Sequence, residues 1–212
     1  MWNRTENQIK LILIRHGETN ANKEHRYLGK TDEQLSERGI CLLQQAREAQ
    51  YYPPVDYLFT SPMRRCIQTA DILYPENRAE MIPEWEEMDF GIFEGKNYRD
   101  LWNDKQYQAW IDSNATLPFP GGESREEFIG RCKAGLYRML EYLSGCISHT
   151  EDPFKEKQTV VGAVVHGGTV MALLSSFYGG EYFDYQISNG RGYSCVLQCD
   201  GEKIRLDDLR KL

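Results

Sequence analysis

Leu11-Ile12-Leu13-Ile14-Arg15-His16-Gly17-Glu18-Thr19 decides the fold. Four successive aliphatic residues that break into Arg-His-Gly read as a strand buried on both faces and ending in a polar turn. Sheets of α/β proteins bind ligands beyond the carboxyl ends of their strands. The Arg15 guanidinium and the His16 imidazole are therefore delivered to such an edge. The design recurs downstream, where Thr159-Val160-Val161-Gly162-Ala163-Val164-Val165 ends in His166-Gly167-Gly168. Two strands that each end in His-Gly predict one site with two facing histidines and an arginine. That set suits a phosphoryl group, which needs an activated nucleophile and fixed positive charge around it.

The rest of the chain alternates in the same way. Residues 9–15 form the first strand, and residues 16–35 form a long polar loop. A helix starts near Ser36 and carries Ile40, Leu43, Ala46 and Ala49 on one face until Tyr51-Tyr52-Pro53-Pro54 stops it. Residues 55–60 form a strand, Ser61-Pro62 opens the next helix with proline in its first turn, and residues 79–82 form a short strand. A helix rich in Trp and Tyr spans about 97–112. Ser124-x-x-Glu127 is a capping box, followed by the stripe Phe128, Cys132, Leu136, Met139 and Leu143. A polar loop over 145–158 leads to the strand 159–165, a helix over 169–178 and a last strand near 193–199. This order predicts an α/β fold, a three-layer α/β/α arrangement around a mostly parallel sheet. The 212 residues suit one domain, 1–212, with a small helical insert at about 95–123 over the site.

A net charge of −7 argues against a nucleic-acid partner, which requires a basic footprint. An anionic small molecule stays open as substrate, because a few arginines in a cleft outweigh a distant field. No apolar run reaches the length of a membrane span, and the N-terminal stretch lacks a signal-peptide pattern. Cys41, Cys66 and Cys132 fall inside helical apolar patterns and read as buried free thiols. Cys195 and Cys199 lack a second pair for zinc. A reducing cytoplasm is the expected location. No metal site and no cofactor are expected, and the oligomeric state is left open. His25 and His149 lie in polar loops and read as surface histidines.

Arg15-His16-Gly17-Glu18-Thr19-x-x-Asn22 resembles the signature of the histidine phosphatase superfamily, which includes the phosphoglycerate mutases. Four further blocks resemble that family in its order. They are Tyr27-Leu28-Gly29-Lys30-Thr31-Asp32-x-x-Leu35-Ser36-x-x-Gly39, Ser61-Pro62-Met63-Arg64-Arg65-Cys66-Ile67-Gln68-Thr69-Ala70, Glu87-Met88-Asp89-Phe90-Gly91-x-x-Glu94-Gly95 and Val164-Val165-His166-Gly167-Gly168. The resemblance implies a phosphoglycerate mutase-like fold. It implies His16 as nucleophile, Arg15, Arg65 and His166 as phosphoryl ligands, and Glu87 as proton donor. Asn22 is implied as a secondary phosphate contact, and Leu28, Gly29 and Gly167 join the substrate-binding set. Arg64 is expected to face solvent, since helical neighbours one apart point in different directions.

The chemistry accounts for these residue types. An imidazole attacks phosphorus only from a neutral nitrogen, and nearby arginines disfavour the imidazolium. The other ring nitrogen needs an acceptor such as a backbone carbonyl to fix its tautomer. A leaving alkoxide needs a proton, which Glu87 supplies if burial raises its pKa. The resembling mutases carry a basic insert after the acid block and are longer. Here Lys96-Asn97-Tyr98-Arg99-Asp100 follows, with Tyr98 where those mutases place a lysine. The expectation is a phosphomonoester hydrolase working through a phosphohistidine. α-Ribazole 5′-phosphate is the leading substrate, because Pro83–Glu94 with Arg99-Asp100-Leu101 resembles α-ribazole phosphatases and an aromatic insert suits a nucleoside-like body. A broad-specificity phosphatase, a phosphoglycerate mutase, a metallohydrolase and a non-catalytic phospho-ligand binder stay open as alternatives. Tyr98, Trp102, Tyr107 and Trp110, at helical spacing, read as core of the insert, with a lid over the pocket as the alternative.

Overall fold

Strand β1 (Ile9–Arg15) lies in the middle of a six-stranded sheet in the computed structural model, which describes residues 9–147, 158–200 and 203–212. It pairs in parallel with β4 (Thr159–Val165) on one side and antiparallel with β5 (Gly192–Asp200) on the other. Beyond β4, β2 (Tyr57–Thr60) and β3 (Ala79–Met81) continue the parallel part. At the opposite edge β6 (Lys203–Lys211) pairs antiparallel with β5. The sheet is mixed, and its four parallel strands are contiguous.

Alternate residues of β1 point to opposite faces, and both faces are covered. Leu11 and Leu13 join Phe128, Leu136 and Leu143 of α6 (Arg125–Ile147) and Val170 and Leu173 of α7 (Gly167–Phe177). Ile12 and Ile14 join Leu43 of α2 (Glu37–Glu48) and Cys66, Ala70 and Leu73 of α3 (Arg64–Leu73). This is the expected three-layer arrangement. Each fully buried aliphatic of this kind contributes roughly 1.5–3 kcal/mol, so β1 anchors both halves of the core.

The parallel register sets the site. Arg15 lies opposite Val165 and Thr60 opposite Val164. The turns leaving β1, β4 and β2 therefore sit side by side at one edge. Backbone bonds hold them there, with His16 N–H donating to Val165 O at 2.9 Å and Ser61 N–H to Val164 O at 3.0 Å.

Several local expectations change. The loop after β1 contains a one-turn helix, α1 (Asn20–Lys23), closed by a capping box between Thr19 and Asn22. Helix α3 starts at Arg64, so Pro62 lies before it rather than in its first turn. The insert is two helices, α4 (Tyr98–Leu101) and α5 (Lys105–Asp112), because Asp104 caps a new helix by accepting from Gln106 and Tyr107 N–H. Tyr107 and Trp110 pack with Tyr27, Phe93 and Phe119 as core, while Tyr98 and Trp102 are 56% and 66% exposed. Helix α6 runs on to Ile147, and α7 begins at Gly167 rather than 169. Strand β6 was not expected, since its charged sequence buries only Leu206. Charge on an edge strand guards it against pairing with other chains.

All six cysteines are free, but Cys41 is exposed rather than buried. It lies roughly 200° around α2 from Leu43, on the outer face. Ala49, expected on the inner face, is also exposed. His25 is exposed, and His149 lies outside the described residues. Among the described residues no helix is long and apolar enough to cross a membrane.

Candidate active site

The two histidines meet as the sequence requires. The His16 and His166 rings lie 5.2 Å apart between centroids at an interplanar angle of 65°. Both are buried, at 3% and 0% exposure. The His16 Nδ1 lies 2.7 Å from Gly17 O. A carbonyl only accepts, so Nδ1 carries the proton and Nε2 keeps its lone pair. Burial is the first cause that lowers the His16 pKa well below the ordinary imidazole value, with Arg65 and then Arg15 adding to it. Burial thus adds to the effect of the arginines that the sequence predicts.

Arg65 is a buried cation and Arg15 a half-buried one, and each has a donor without a partner. Arg65 on α3 is fully buried and donates to Thr31 O at 2.9 Å and Gly29 O at 3.0 Å. Its Nε has no partner. Arg15 donates from Nη1 to Ile187 O at 2.6 Å, and its Nε is likewise buried and unpartnered. Buried donors are nearly always satisfied in folded proteins, so two orphans around one imidazole mark a place for an acceptor-rich anion. Arg64, one residue on, is exposed as expected.

Glu87 closes the site. Its Oε1 accepts from Met88 N–H at 3.0 Å, and its Oε2 lies 3.9 Å from His166 Nδ1. Burial raises the carboxyl pKa above its ordinary value, against the opposing pull of the Met88 N–H and the arginines. Burial likewise lowers His166 well below the imidazole range, helped by Arg65. The site thus holds two neutral imidazoles, two guanidinium groups and a carboxyl biased toward its protonated form. It can offer a lone pair to phosphorus, charge to the phosphoryl oxygens and a proton to a leaving group.

The remaining expected residues have less direct places. The Asn22 Oδ1 accepts from Thr19 N–H and from Asn189 Nδ2, leaving its amide NH2 as the group for a ligand. Leu28 and Gly29 offer their carbonyls to Arg65, and the Gly29 N–H is held by Glu94. Their position supports the arginine rather than presenting amide donors. Gly167 packs on Arg15, with room for a Cβ no closer than 3.4 Å from the guanidinium Nε.

Three further residues bind the site together. The Ser61 hydroxyl lies 2.8 Å from His166 Nε2. Thr69 accepts from Gly17 N–H at 2.9 Å and donates to Arg65 O at 2.6 Å, joining the β1 turn to α3. Asn189 Nδ2 reaches His16 O at 3.2 Å and Asn22 Oδ1 at 2.9 Å. Ser61 follows β2 at the same edge, so the strand-end argument was able to find it. Thr69 lies inside the arginine block of the family resemblance, which gave it no role, and nothing in the sequence pattern marked Asn189.

A cavity of about 400 Å³ adjoins Glu87. Its wall is charged, with Lys30, Glu86, Asp89, Glu123, Glu127 and Arg131, and no aromatic side chain lines it. In this cavity the aromatic residues of the insert take no part, since Tyr107 and Trp110 pack as core and Tyr98 and Trp102 face solvent. Among the described residues no group of three or more His, Cys, Asp or Glu side chains is placed to hold a metal ion.

The histidine phosphatase superfamily (branch 1) model matches residues 11–211. The chain belongs to that superfamily. It is 32% identical over 139 residues to an adenosylcobalamin/alpha-ribazole phosphatase of Escherichia coli (strain K12), covering 63% of this chain and 68% of the relative. It is 31% identical over 138 residues to a "Probable phosphoglycerate mutase" of Proteus mirabilis, covering 62% of this chain and 63% of that relative. The alignment thus spans just under two thirds of the latter protein. The crystal structure of the alpha-ribazole phosphatase from Shigella flexneri superposes with a TM-score of 0.73 at 25% identity, covering 96% of this chain and 95% of that one.

Proposed function

We propose that this protein is a phosphomonoester hydrolase that works through a phosphohistidine on His16. One observation carries the reading: the buried His16, whose Nδ1 is held by Gly17 O so that Nε2 keeps its lone pair, feels Arg65 and Arg15, each of which has a buried Nε without a partner. In the first step Nε2 attacks phosphorus while Arg15, Arg65 and His166 hold the oxygens, and the ester oxygen leaves with a proton from Glu87. In the second step the Glu87 carboxylate takes a proton from water, which attacks the phosphohistidine and returns the imidazole. Asn22 contacts the phosphoryl group through its amide NH2. Leu28 and Gly29 serve substrate binding through Arg65, which their carbonyls hold, and Gly167 through its packing on Arg15.

α-Ribazole 5′-phosphate is the first substrate to test, supported by the names of the Escherichia coli and Shigella flexneri relatives. The phosphoglycerate mutase reading rests on the Proteus mirabilis relative and on a Thermus thermophilus structure described as a phosphoglycerate mutase, at TM-score 0.64 and 28% identity. The deciding experiment measures phosphate release from α-ribazole 5′-phosphate and other monoesters beside interconversion of 2- and 3-phosphoglycerate. Phosphate release with negligible interconversion is expected. Efficient interconversion without phosphate release contradicts the hydrolase reading. Equal turnover of all monoesters removes only the α-ribazole assignment.

A further inference from the structure

We propose that the wall beside Glu87 selects esters by the charge of their alcohol part, favouring a cationic nitrogen and disfavouring a carboxylate. The proposal rests on the hydrolase reading above and names a substrate class for that site. Two independent observations place the substrate. The fully buried Arg65, with its unpartnered Nε, fixes the phosphoryl end beside His16. Glu87, the proposed proton donor to the ester oxygen, belongs both to that site and to the wall of the 400 Å³ cavity. The alcohol must extend from the oxygen that Glu87 protonates, so this cavity receives it.

The charges of that cavity are unequal. Its two cations are already engaged. Lys30 Nζ sits 2.6 Å from Asp89 Oδ2. Arg131 is paired with Glu123 at 2.9 Å and also donates to Glu84 O and Glu86 O. Glu127 accepts from the N–H and hydroxyl of Ser124, which hold its carboxyl below the ordinary range. Glu86 and Glu127 make no salt bridge among the described residues, although Lys30 and Arg131 both feel the Glu86 charge. Besides Glu87 the wall carries four carboxylates against two cations, so an alcohol with an ammonium group meets a net excess of two negative charges there. An alcohol with a carboxylate meets repulsion, and no unengaged cation on this wall receives it.

The test compares three small esters on the intact protein: phosphoethanolamine, glycerol 1-phosphate and 3-phosphoglycerate, whose alcohol parts are cationic, neutral and anionic. A unit charge about 4 Å from a carboxylate in water is worth roughly fivefold in equilibrium, so an excess of two carboxylates gives about 25-fold per step of substrate charge. We expect kcat/KM to fall in that order, and the ratio of the first to the second to shrink at high salt. In the double variant Glu86→Gln/Glu127→Gln the ratio should approach one, and in Glu86→Lys/Glu127→Gln it should invert. Both side chains are exposed, and glutamine at 127 can still cap Ser124. A wild-type ratio at or below one, or a ratio unmoved in both variants, overturns the proposal. Turnover of glycerol 1-phosphate in those arms leaves the hydrolase reading standing, whereas no turnover of any ester removes both.

Discussion

Gly168→Ala tests how tightly the proposed acid is held. Gly168 is the second residue of α7, with a helical backbone that alanine also adopts. A Cβ built there lies 2.7 Å from Glu87 Oε1 and 3.0 Å from two ring carbons of Phe128. Ordinary contact begins at 3.4 Å. Phe128 is fully buried among core side chains and has nowhere to go, so the carboxyl must give way. The required retreat is about 0.7 Å, and displacements near 1 Å at reacting groups cost about 10²-fold. We expect kcat for an alkyl phosphate to fall roughly 10–100-fold. p-Nitrophenyl phosphate should lose less than about threefold, since its leaving group scarcely needs a proton. The fold should survive. Alanine is favoured over glycine in helices by about 1 kcal/mol, which offsets part of an overpacking cost of about 1–3 kcal/mol. Steady-state kinetics on both esters, beside a thermal melt, decide it. Equal losses on both esters, or no loss on the alkyl ester in a folded variant, would refute the geometry argued for Glu87.

Glu87→Gln should lower turnover of alkyl phosphates by about 10²–10⁴-fold and spare p-nitrophenyl phosphate by comparison. The pH profile for alkyl esters should fall on both sides. Activity is lost on the acid side as His16 protonates, below 6.5, and on the alkaline side as Glu87 ionises, above 4.5. The alkaline limb should vanish with p-nitrophenyl phosphate, and its persistence would reassign it. Arg65→Lys should cost about 10²–10³-fold in kcat/KM, because a single ammonium cannot hold Thr31 and Gly29 carbonyls while also meeting the phosphoryl group. Exhaustive chelation should leave phosphate release unchanged, and recovery of lost activity by one divalent ion would favour a metallohydrolase.

Much of this was legible because strand burial is loud. Leu11–Ile14 and Val161–Val165 cannot sit anywhere but inside a covered sheet, and the polar residues after them are then forced to one edge. Arg65 over Arg64 was also readable, since one helical step separates a buried face from an exposed one. The missed strand β6 shows the limit. Its stability comes from pairing with β5, a tertiary fact that its charged sequence does not display. The split insert shows another, because Asp104 looked like one more polar residue on a helix face and acts as a cap. The charged wall beside Glu87 was illegible for the same reason. Lys30, Asp89, Glu123 and Arg131 lie far apart in sequence, and only folding reveals that they neutralise one another. The aromatic residues of the insert were visible, but the surface they cover was not.

The central claim is covalent: phosphorus passes through His16. Rapid mixing with 32P-labelled substrate, quenched in alkaline detergent, measures it directly. The account predicts a burst of label on the protein that is stable in base, lost in acid and mapped to His16. The label should be absent in His16→Ala along with turnover. Near-wild-type turnover in His16→Ala, or label carried by another residue, would contradict the account.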